Sequence, residues 1–297
     1  MRHGTLSLMK NLGQLAWFEL CVLLLAFAVA ASDIRPLSAA SEPTPPATEG
    51  SLSPDKPTNS KPTRLSRVKS STAPAKADVP GAFAKAAPAS INDLKAIERH
   101  VKTLMPRLTP AVVAVEVGGA TGSGVVISED GVVLTAAHVS DEPNRDVRFT
   151  FPDGKTARGK TLGTNHELDA GMARITDPGP WPHVPIGDLN GARLGDWVLT
   201  LGQPGGYEKE RPIVVRLGRI IRLTAGALQT DCTVTAGDSG GPLVDMHGKV
   251  IGIHSRISDS TSENFHVPIS AYSDSWDRLA KGENWGGSQP PSRSWVG

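Results

Sequence analysis

Short strand-like runs, separated by turn signals, fill most of the chain from residue 111 to residue 268, and this pattern constrains the fold most. The turn signals include Glu129-Asp130-Gly131, Pro152-Asp153-Gly154, Gly205-Gly206 and His247-Gly248. Many short strands without intervening helical periodicity are typical of antiparallel β-barrels or sandwiches. The predicted strands are Ala111–Val117, Gly124–Ser128, Val132–Ala136, Val147–Phe151, Ala173–Ile175, Trp197–Leu201, Ile213–Leu217, Arg219–Leu223, Leu243–Asp245, Val250–His254 and Phe265–Pro268.

A short helix is predicted in front of these strands. Its apolar residues recur at helical spacing, and either Ser90 or Asn92 would cap its first turn. Pro106 and Pro110 are expected to bound it, because proline disfavours a helix interior. The spaced apolar residues are Ile91, Leu94, Ile97, Val101, Leu104 and Leu108.

Composition excludes several classes of protein. The 31 basic and 30 acidic residues give a formal charge of +1, so the basic excess of a dedicated nucleic-acid binder is missing. Only 2 cysteines are present, too few for a disulfide framework. With 39% hydrophobic residues and 31 glycines, the composition is that of a globular protein.

Residues 1–31 are predicted to be a signal peptide or an N-terminal anchor. Arg2, His3 and Lys10 precede the apolar run from Leu20 to Ala31, which is too short to span a bilayer and has the size of a signal-peptide core. Ala28-Val29-Ala30 offers a small-residue cleavage site. Both readings predict export to the periplasm or beyond, and an uncleaved segment would tether the protein to the membrane.

The rest of the chain divides into three parts. Residues 32–90 are rich in Pro, Ala, Ser and Lys and are predicted to be a disordered linker, because so few apolar residues cannot offset the chain entropy. Residues 91–283 are predicted to hold the folded domain, and residues 284–297 a flexible tail.

The segment Gly237-Asp238-Ser239-Gly240-Gly241-Pro242 carries the sharpest chemical signal. A serine among glycines sits on a tight, uncrowded turn, where its hydroxyl is accessible as a nucleophile. The predicted oxyanion hole is the turn formed by Gly237, Asp238 and Ser239. The amide N–H groups of Gly237 and Ser239 would both point towards the same position, where the oxyanion would bind.

Two further residues complete a predicted Ser-His-Asp arrangement. His138, in Thr135-Ala136-Ala137-His138, follows an apolar strand and is the predicted base for Ser239. Asp169 is the predicted acceptor that fixes the tautomer of that histidine. Glu167, Asp177 and Asp153 compete for this role. His166 and Asp169 could also suggest a metal pair, but the sequence shows no third ligand, so no metal is predicted.

These motifs, in the order His, Asp, Ser, resemble the chymotrypsin-like serine proteases, and their setting resembles the exported bacterial HtrA (Deg) branch. The resemblance covers roughly residues 105–270. It rests on the two motifs and on the segments Thr109-Pro110-Ala111-Val112-Val113, Gly122-Ser123-Gly124-Val125, Leu201-Gly202-Gln203-Pro204-Gly205, Gln229-Thr230-Asp231 and Phe265-His266-Val267-Pro268.

The resemblance implies two six-stranded antiparallel β-barrels with the active site between them, within a trypsin-like serine protease domain at residues 91–283. It implies an endopeptidase that acts on proteins or peptides through an acyl-enzyme and needs no cofactor. It places Thr233 and Val234 in the primary specificity pocket and His254 on the strand that pairs with substrate. Neither pocket residue is acidic, which favours a small or medium aliphatic side chain over Arg or Lys.

Several departures from the branch keep alternatives open. Asp238 stands where the branch has Asn, and no activation site supplies a new N-terminal amine to pair with it. The acid segment reads Asp-Ala-Gly-Met instead of Asp-Ile-Ala-Leu. Too few residues follow for a PDZ domain, and the trimer common in the branch is left open. A catalytically silent binding module and an esterase that uses the same triad are the rival hypotheses.

Overall fold

The computed structural model describes residues 78–224, 226–257 and 263–287. The predicted signal segment and most of the predicted linker lie outside these residues. Within them, no helix is both long and apolar enough to cross a membrane.

The described part of the chain begins with a 3-10 turn at Gly81–Ala84 and a helix, α1, at Ile91–Leu108, and a short helix, α2, lies further along at Ala137–Ser140. The predicted helix is confirmed, and Ser90 is its N-cap, since its side chain accepts a hydrogen bond from the amide of Asp93. The expectation that Pro106 bounds the helix is wrong, because Pro106 lies inside its last turn. Ile91 and Leu94 are exposed, so the buried stripe starts only at Ile97.

The strands form two closed six-stranded antiparallel barrels, which confirms the predicted fold class. In the first barrel the order is β5-β4-β1-β2-β3-β6, and pairing of β5 with β6 closes it. In the second the order is β10-β11-β12-β9-β8-β7. The first barrel contains β1 (Val112–Val117), β2 (Ala120–Val126), β3 (Val132–Ala136), β4 (Asp146–Thr150), β5 (Thr156–Asn165) and β6 (Ala170–Ile175). The second contains β7 (Trp197–Gly202), β8 (Val214–Leu223), β9 (Leu228–Thr230), β10 (Pro242–Asp245), β11 (Val250–Ile257) and β12 (Asn264–Pro268).

Strands β5 and β9 and the helix α3 (Ile269–Ala280) are among the elements that were not expected from the sequence. Strand β5 is polar and contains two glycines; a Cβ on Gly159 would clash with Phe149, so small residues are needed where the strand packs inward. Strand β9 is only 3 residues long. The helix α3 at Ile269–Ala280 had a signal that could have found it: Ile269, Tyr272, Trp276 and Leu279 recur at helical spacing, and all are buried.

The end of the described chain also differs from the expectation of a flexible tail beginning at residue 284. Asn284–Trp285 form β13, which pairs in parallel with β5. The guanidinium of Arg278 lies 3.8 Å from the centre of the Trp285 ring. These contacts fix the end of α3 against the first barrel.

Candidate active site

His138 lies on the short helix α2 (Ala137–Ser140), which follows β3 directly. This connection places the imidazole at the end of a buried strand, with 40% of the side chain exposed. Its Nδ1 atom lies 3.0 Å from both carboxylate oxygens of Asp169. The structure therefore brings together the predicted base and the predicted acid.

Asp169 lies in the turn between β5 and β6, with a left-handed φ of 61° that Asp tolerates better than most residues. The start of α2 holds it from two sides. The amide of His138 donates to Oδ1 at 3.1 Å, and the carbonyl of Asp169 accepts from the Ala137 amide at 3.1 Å. Burial acts to raise the pKa of Asp169, but its bonds to His138 and Ser255 outweigh burial and hold the pKa below the ordinary value.

Ser255 on β11 connects the acid to the predicted nucleophile. Its hydroxyl donates to Oδ2 of Asp169 at 2.6 Å, and its carbonyl accepts from the hydroxyl of Ser239 at 3.3 Å. Asp169 belongs to the first barrel and Ser255 to the second, so the hydrogen bond from Ser255 to Asp169 joins the two barrels. The result is a connected chain of hydrogen bonds from His138 through Asp169 and Ser255 to Ser239.

The amides of Gly237 and Ser239 make no hydrogen bond to any residue that the structure describes. The carbonyl of Ala236 accepts from the amide of Gly205 at 2.8 Å. Because the C=O and N–H of one peptide point in opposite directions, this bond turns the Gly237 N–H away from Gly205. Gly237 has a φ of 89°, and a Cβ there would clash with the Gly205 amide.

Asp238 contributes to this loop in a different way from its neighbours. Its amide donates to the carbonyl of Thr235 at 3.0 Å, so this N–H is already used. Its carboxylate is fully buried and pairs with Arg216 on β8. The partner of Asp238, which the sequence left open, is therefore an arginine of the same chain.

Ser123 on β2 holds the loop of Ser239 against the first barrel. Its amide donates to the carbonyl of Ser239 and its hydroxyl donates to the carbonyl of Gly237, both at 2.7 Å. The same hydroxyl accepts from the amide of Gln203 at 2.9 Å. Sequence reasoning assigned no role to Ser123 or Ser255, because their partners are distant along the chain.

The three residues predicted to contact substrate lie in different environments. Thr233 is exposed, and Val234 is buried, with its amide bonded to Oδ1 of Asn264 at 2.8 Å. Only 1% of His254 is exposed. The Nδ1 atom of His254 lies 2.9 Å from Nδ1 of His266, and its Nε2 atom lies 3.2 Å from the carbonyl oxygen of Leu201. A substrate contact by this side chain is therefore not supported.

Two of the three alternative acids to Asp169 are engaged elsewhere. Asp177 pairs with Arg158 at 3.1 Å, and Asp153 accepts from the amide of Lys155 at 3.0 Å. No group of three His, Cys, Asp or Glu residues suited to a metal ion occurs in the described ranges.

The family named trypsin-like peptidase domain matches residues 122–253. Residues 122–253 therefore form a trypsin-like peptidase domain. This peptidase domain is similar in structure to HtrA-type protease AlgW with a tripeptide, at a TM-score of 0.53 and 27% identity over 61% of this chain and 63% of that one. It is also similar to Deg5, at a TM-score of 0.53 and 25% identity over 64% of this chain and 98% of that one.

Relatives of the peptidase domain carry related names. The serine protease HhoA of Synechocystis is 35% identical over 50% of this chain and 40% of its own length. A DegP-like periplasmic serine endoprotease of Pseudomonas fulva is 29% identical over 74% of this chain and 47% of its own. The protease Do-like 14 of Arabidopsis thaliana is 32% identical over 64% of this chain and 49% of its own. The chain therefore spans less than half the length of each of these relatives.

Proposed function

We propose that this protein is a serine endopeptidase whose nucleophile is Ser239, whose base is His138 and whose orienting acid is Asp169. The observation that carries the proposal is the connected set of contacts among them: Asp169 bonds to His138 at 3.0 Å and, through Ser255, is linked to Ser239. A carboxylate behind Nδ1 fixes the tautomer in which Nε2 can accept a proton from a serine hydroxyl.

In the proposed reaction, Ser239 attacks the scissile carbonyl as His138 takes its proton. The amides of Gly237 and Ser239 then stabilise the negative oxygen of the tetrahedral intermediate. His138 returns the proton to the leaving amine, and water hydrolyses the acyl-enzyme by the same route. Asp169 stays ionised throughout, which the bonds that lower its pKa favour.

The substrate class follows from two supports. Relatives named as periplasmic endoproteases favour exported protein substrates, and the predicted signal segment agrees with them. Thr233 and Val234 carry no charge, which favours a small or medium aliphatic side chain in the primary pocket. We propose that the protein acts outside the cytoplasm in protein processing or quality control.

The test is reaction of the purified full chain with a fluorophosphonate probe, which labels only an activated serine. Wild type is expected to label, and Ser239→Ala and His138→Ala are expected not to. Asp169→Asn is expected to label about 10⁴-fold more slowly, because the wrong tautomer faces the serine. A folded wild-type chain without labelling would overturn the proposal. Cleavage of esters but not of an unfolded protein would assign an esterase instead.

A further inference from the structure

Asp238 is a buried carboxylate between the two amides of the proposed oxyanion hole. Its exposed fraction is 0%. Its Oδ2 atom accepts from the amide of Thr235 at 2.9 Å and from the hydroxyl of Thr235 at 3.2 Å. The same oxygen lies 3.0 Å from Nη2 of Arg216, whose side chain is 22% exposed.

This carboxylate has one counter-ion in the part of the chain that the structure describes, namely Arg216. Its Oδ1 atom makes no hydrogen bond there, and neither does Nη1 of the arginine. Neutral donors satisfy a lone pair but do not balance a charge in a medium of low dielectric constant. The pairing with Arg216 is therefore what allows an ionised Asp238 to remain buried.

The position of Asp238 is also tightly defined. Its amide donates to Thr235 at 3.0 Å, and its carbonyl accepts from Gly241 at 2.8 Å. Gly202 forms the wall beside Oδ1, and a Cβ on this residue would clash with that oxygen. A carboxylate that left this pocket to reach water would carry the backbone of Gly237 and Ser239 with it.

We propose that Arg216 is a positioning residue for catalysis: as the counter-ion of Asp238, it holds the loop at residues 235–239 in the conformation that presents the Gly237 and Ser239 amides to the substrate. The inference rests on the proposed serine endopeptidase function. A counter-ion supplied by the folded chain needs no proteolytic step to form. The loop is therefore ordered in the chain as it is synthesised and folded.

The first part of the test measures fluorophosphonate labelling against probe concentration in the full chain, which separates the maximal rate, kinact, from the binding constant, KI. Arg216→Met is expected to lower kinact about 100-fold or more with KI unchanged, because an unpaired buried charge displaces groups that act only in the transition state. Arg216→Lys is expected to lower kinact about tenfold, because it keeps the charge but replaces the guanidinium with a shorter and more strongly hydrated ammonium group.

Two further variants separate positioning from general stability. The double variant R216M/D238N removes both charges, so it is expected to recover at least tenfold over R216M, in keeping with the tolerance of neutral replacements of buried ion pairs. Arg174→Met is the matched control: Arg174 pairs with Asp130 at 2.7 Å, and these side chains are 31% and 57% exposed. Its labelling is expected to stay within about twofold of wild type, as exposed pairs contribute little.

The second part measures amide hydrogen exchange, which reports loop order without requiring chemistry. Peptides covering residues 235–241 are expected to exchange faster in R216M than in wild type, whereas peptides from β3 are not. If wild type does not label but this difference appears, the proposed function fails, and the part of the inference that stands is the ordering of the loop by Arg216. If wild type labels and R216M matches it in kinact and in exchange, the positioning role is overturned and the proposed function stands. Should R216M not fold, a folded Arg216→Gln, which also lacks the charge, with wild-type kinact overturns it equally.

Discussion

Ser123→Ala removes one oxygen of the first barrel that bonds to two backbone groups of the second barrel. Ser123 is fully buried on β2 of the first barrel. Its hydroxyl donates to the carbonyl of Gly237 at 2.7 Å and accepts from the amide of Gln203 at 2.9 Å. Both partners lie on loops of the second barrel, so this single side chain connects the nucleophile loop to the rest of the site.

The magnitude follows from the two backbone groups that the substitution leaves without this partner. A buried polar group that loses its hydrogen bond costs about 1–3 kcal/mol, so two groups give a loss of about 2–6 kcal/mol in the free energy of unfolding. Because the freed carbonyl belongs to Gly237, the proposed oxyanion loop also loses a support. We expect kinact for fluorophosphonate to fall at least about tenfold, corresponding to about 1.4 kcal/mol of transition-state stabilisation.

Urea unfolding of the full chain, followed by tryptophan fluorescence, measures the stability change, and labelling of the same preparation measures the rate. Ser273→Ala is the matched control, since the Ser273 hydroxyl donates only to the carbonyl of Ile269 four residues before it in α3. Such a bond adds little to a helix, so the control is expected to stay within about 0.5 kcal/mol of wild type. A loss below about 0.5 kcal/mol in Ser123→Ala itself, with unchanged labelling, would refute the reasoning from unsatisfied partners.

Three further predictions concern neighbouring groups. Ser255→Ala removes the 2.6 Å bond to Asp169, and because such charge-assisted bonds are worth about 1.5–3 kcal/mol, kinact should fall about 10- to 150-fold; an unchanged kinact in a folded variant would contradict this. Gly240→Ala should prevent labelling and destabilise the fold, because Gly240 has a φ of 87° and a Cβ would clash with the carbonyl of Ser123 and the hydroxyl of Thr135; thermal melting and labelling decide it. Burial lowers the pKa of His254 to about 3 in the folded chain. Burial, together with the electrostatic effect of the neighbouring His254, lowers the pKa of His266 well below its ordinary value. As the pH falls, these rings therefore bind protons in the unfolded chain at a higher pH than in the folded chain, which favours unfolding. The free energy of unfolding should be highest above about pH 6.5 and should decrease as the pH falls towards 3, by about 1.4 kcal/mol per pH unit for His254 alone. Urea unfolding at pH 7, 6 and 5 measures this slope, and a slope that stays the same in His254→Gln would show that another group causes it.

Much of the fold could be predicted because local pattern and tertiary structure agree in it. The prediction for β3, Val132–Ala136, coincides with the observed strand, since every residue of this apolar run is buried. Strand β5 could not be predicted in the same way, because its small and polar residues suit the pleat only where they face Phe149 and the neighbouring strands. Two predicted runs, Ile213–Leu217 and Arg219–Leu223, are one strand, β8, in which Gly218 leaves room for Cys232.

The candidate site, like the fold, could be predicted from the sequence only in part. The residue types in the turn at Ser239 and at the end of β3 could be recognised from the sequence alone, because their chemistry depends on short, contiguous motifs. Asp169 could also be predicted as the partner of His138, but the other contacts of the site became clear only from the folded chain. Ser123 lies 80 or more positions along the chain from its partners in the site. Ser255 lies 86 positions from Asp169, and Arg216 lies 22 positions from Asp238. Such contacts follow from barrel closure and strand register, which depend on all the strands together, and no local run of residues specifies them.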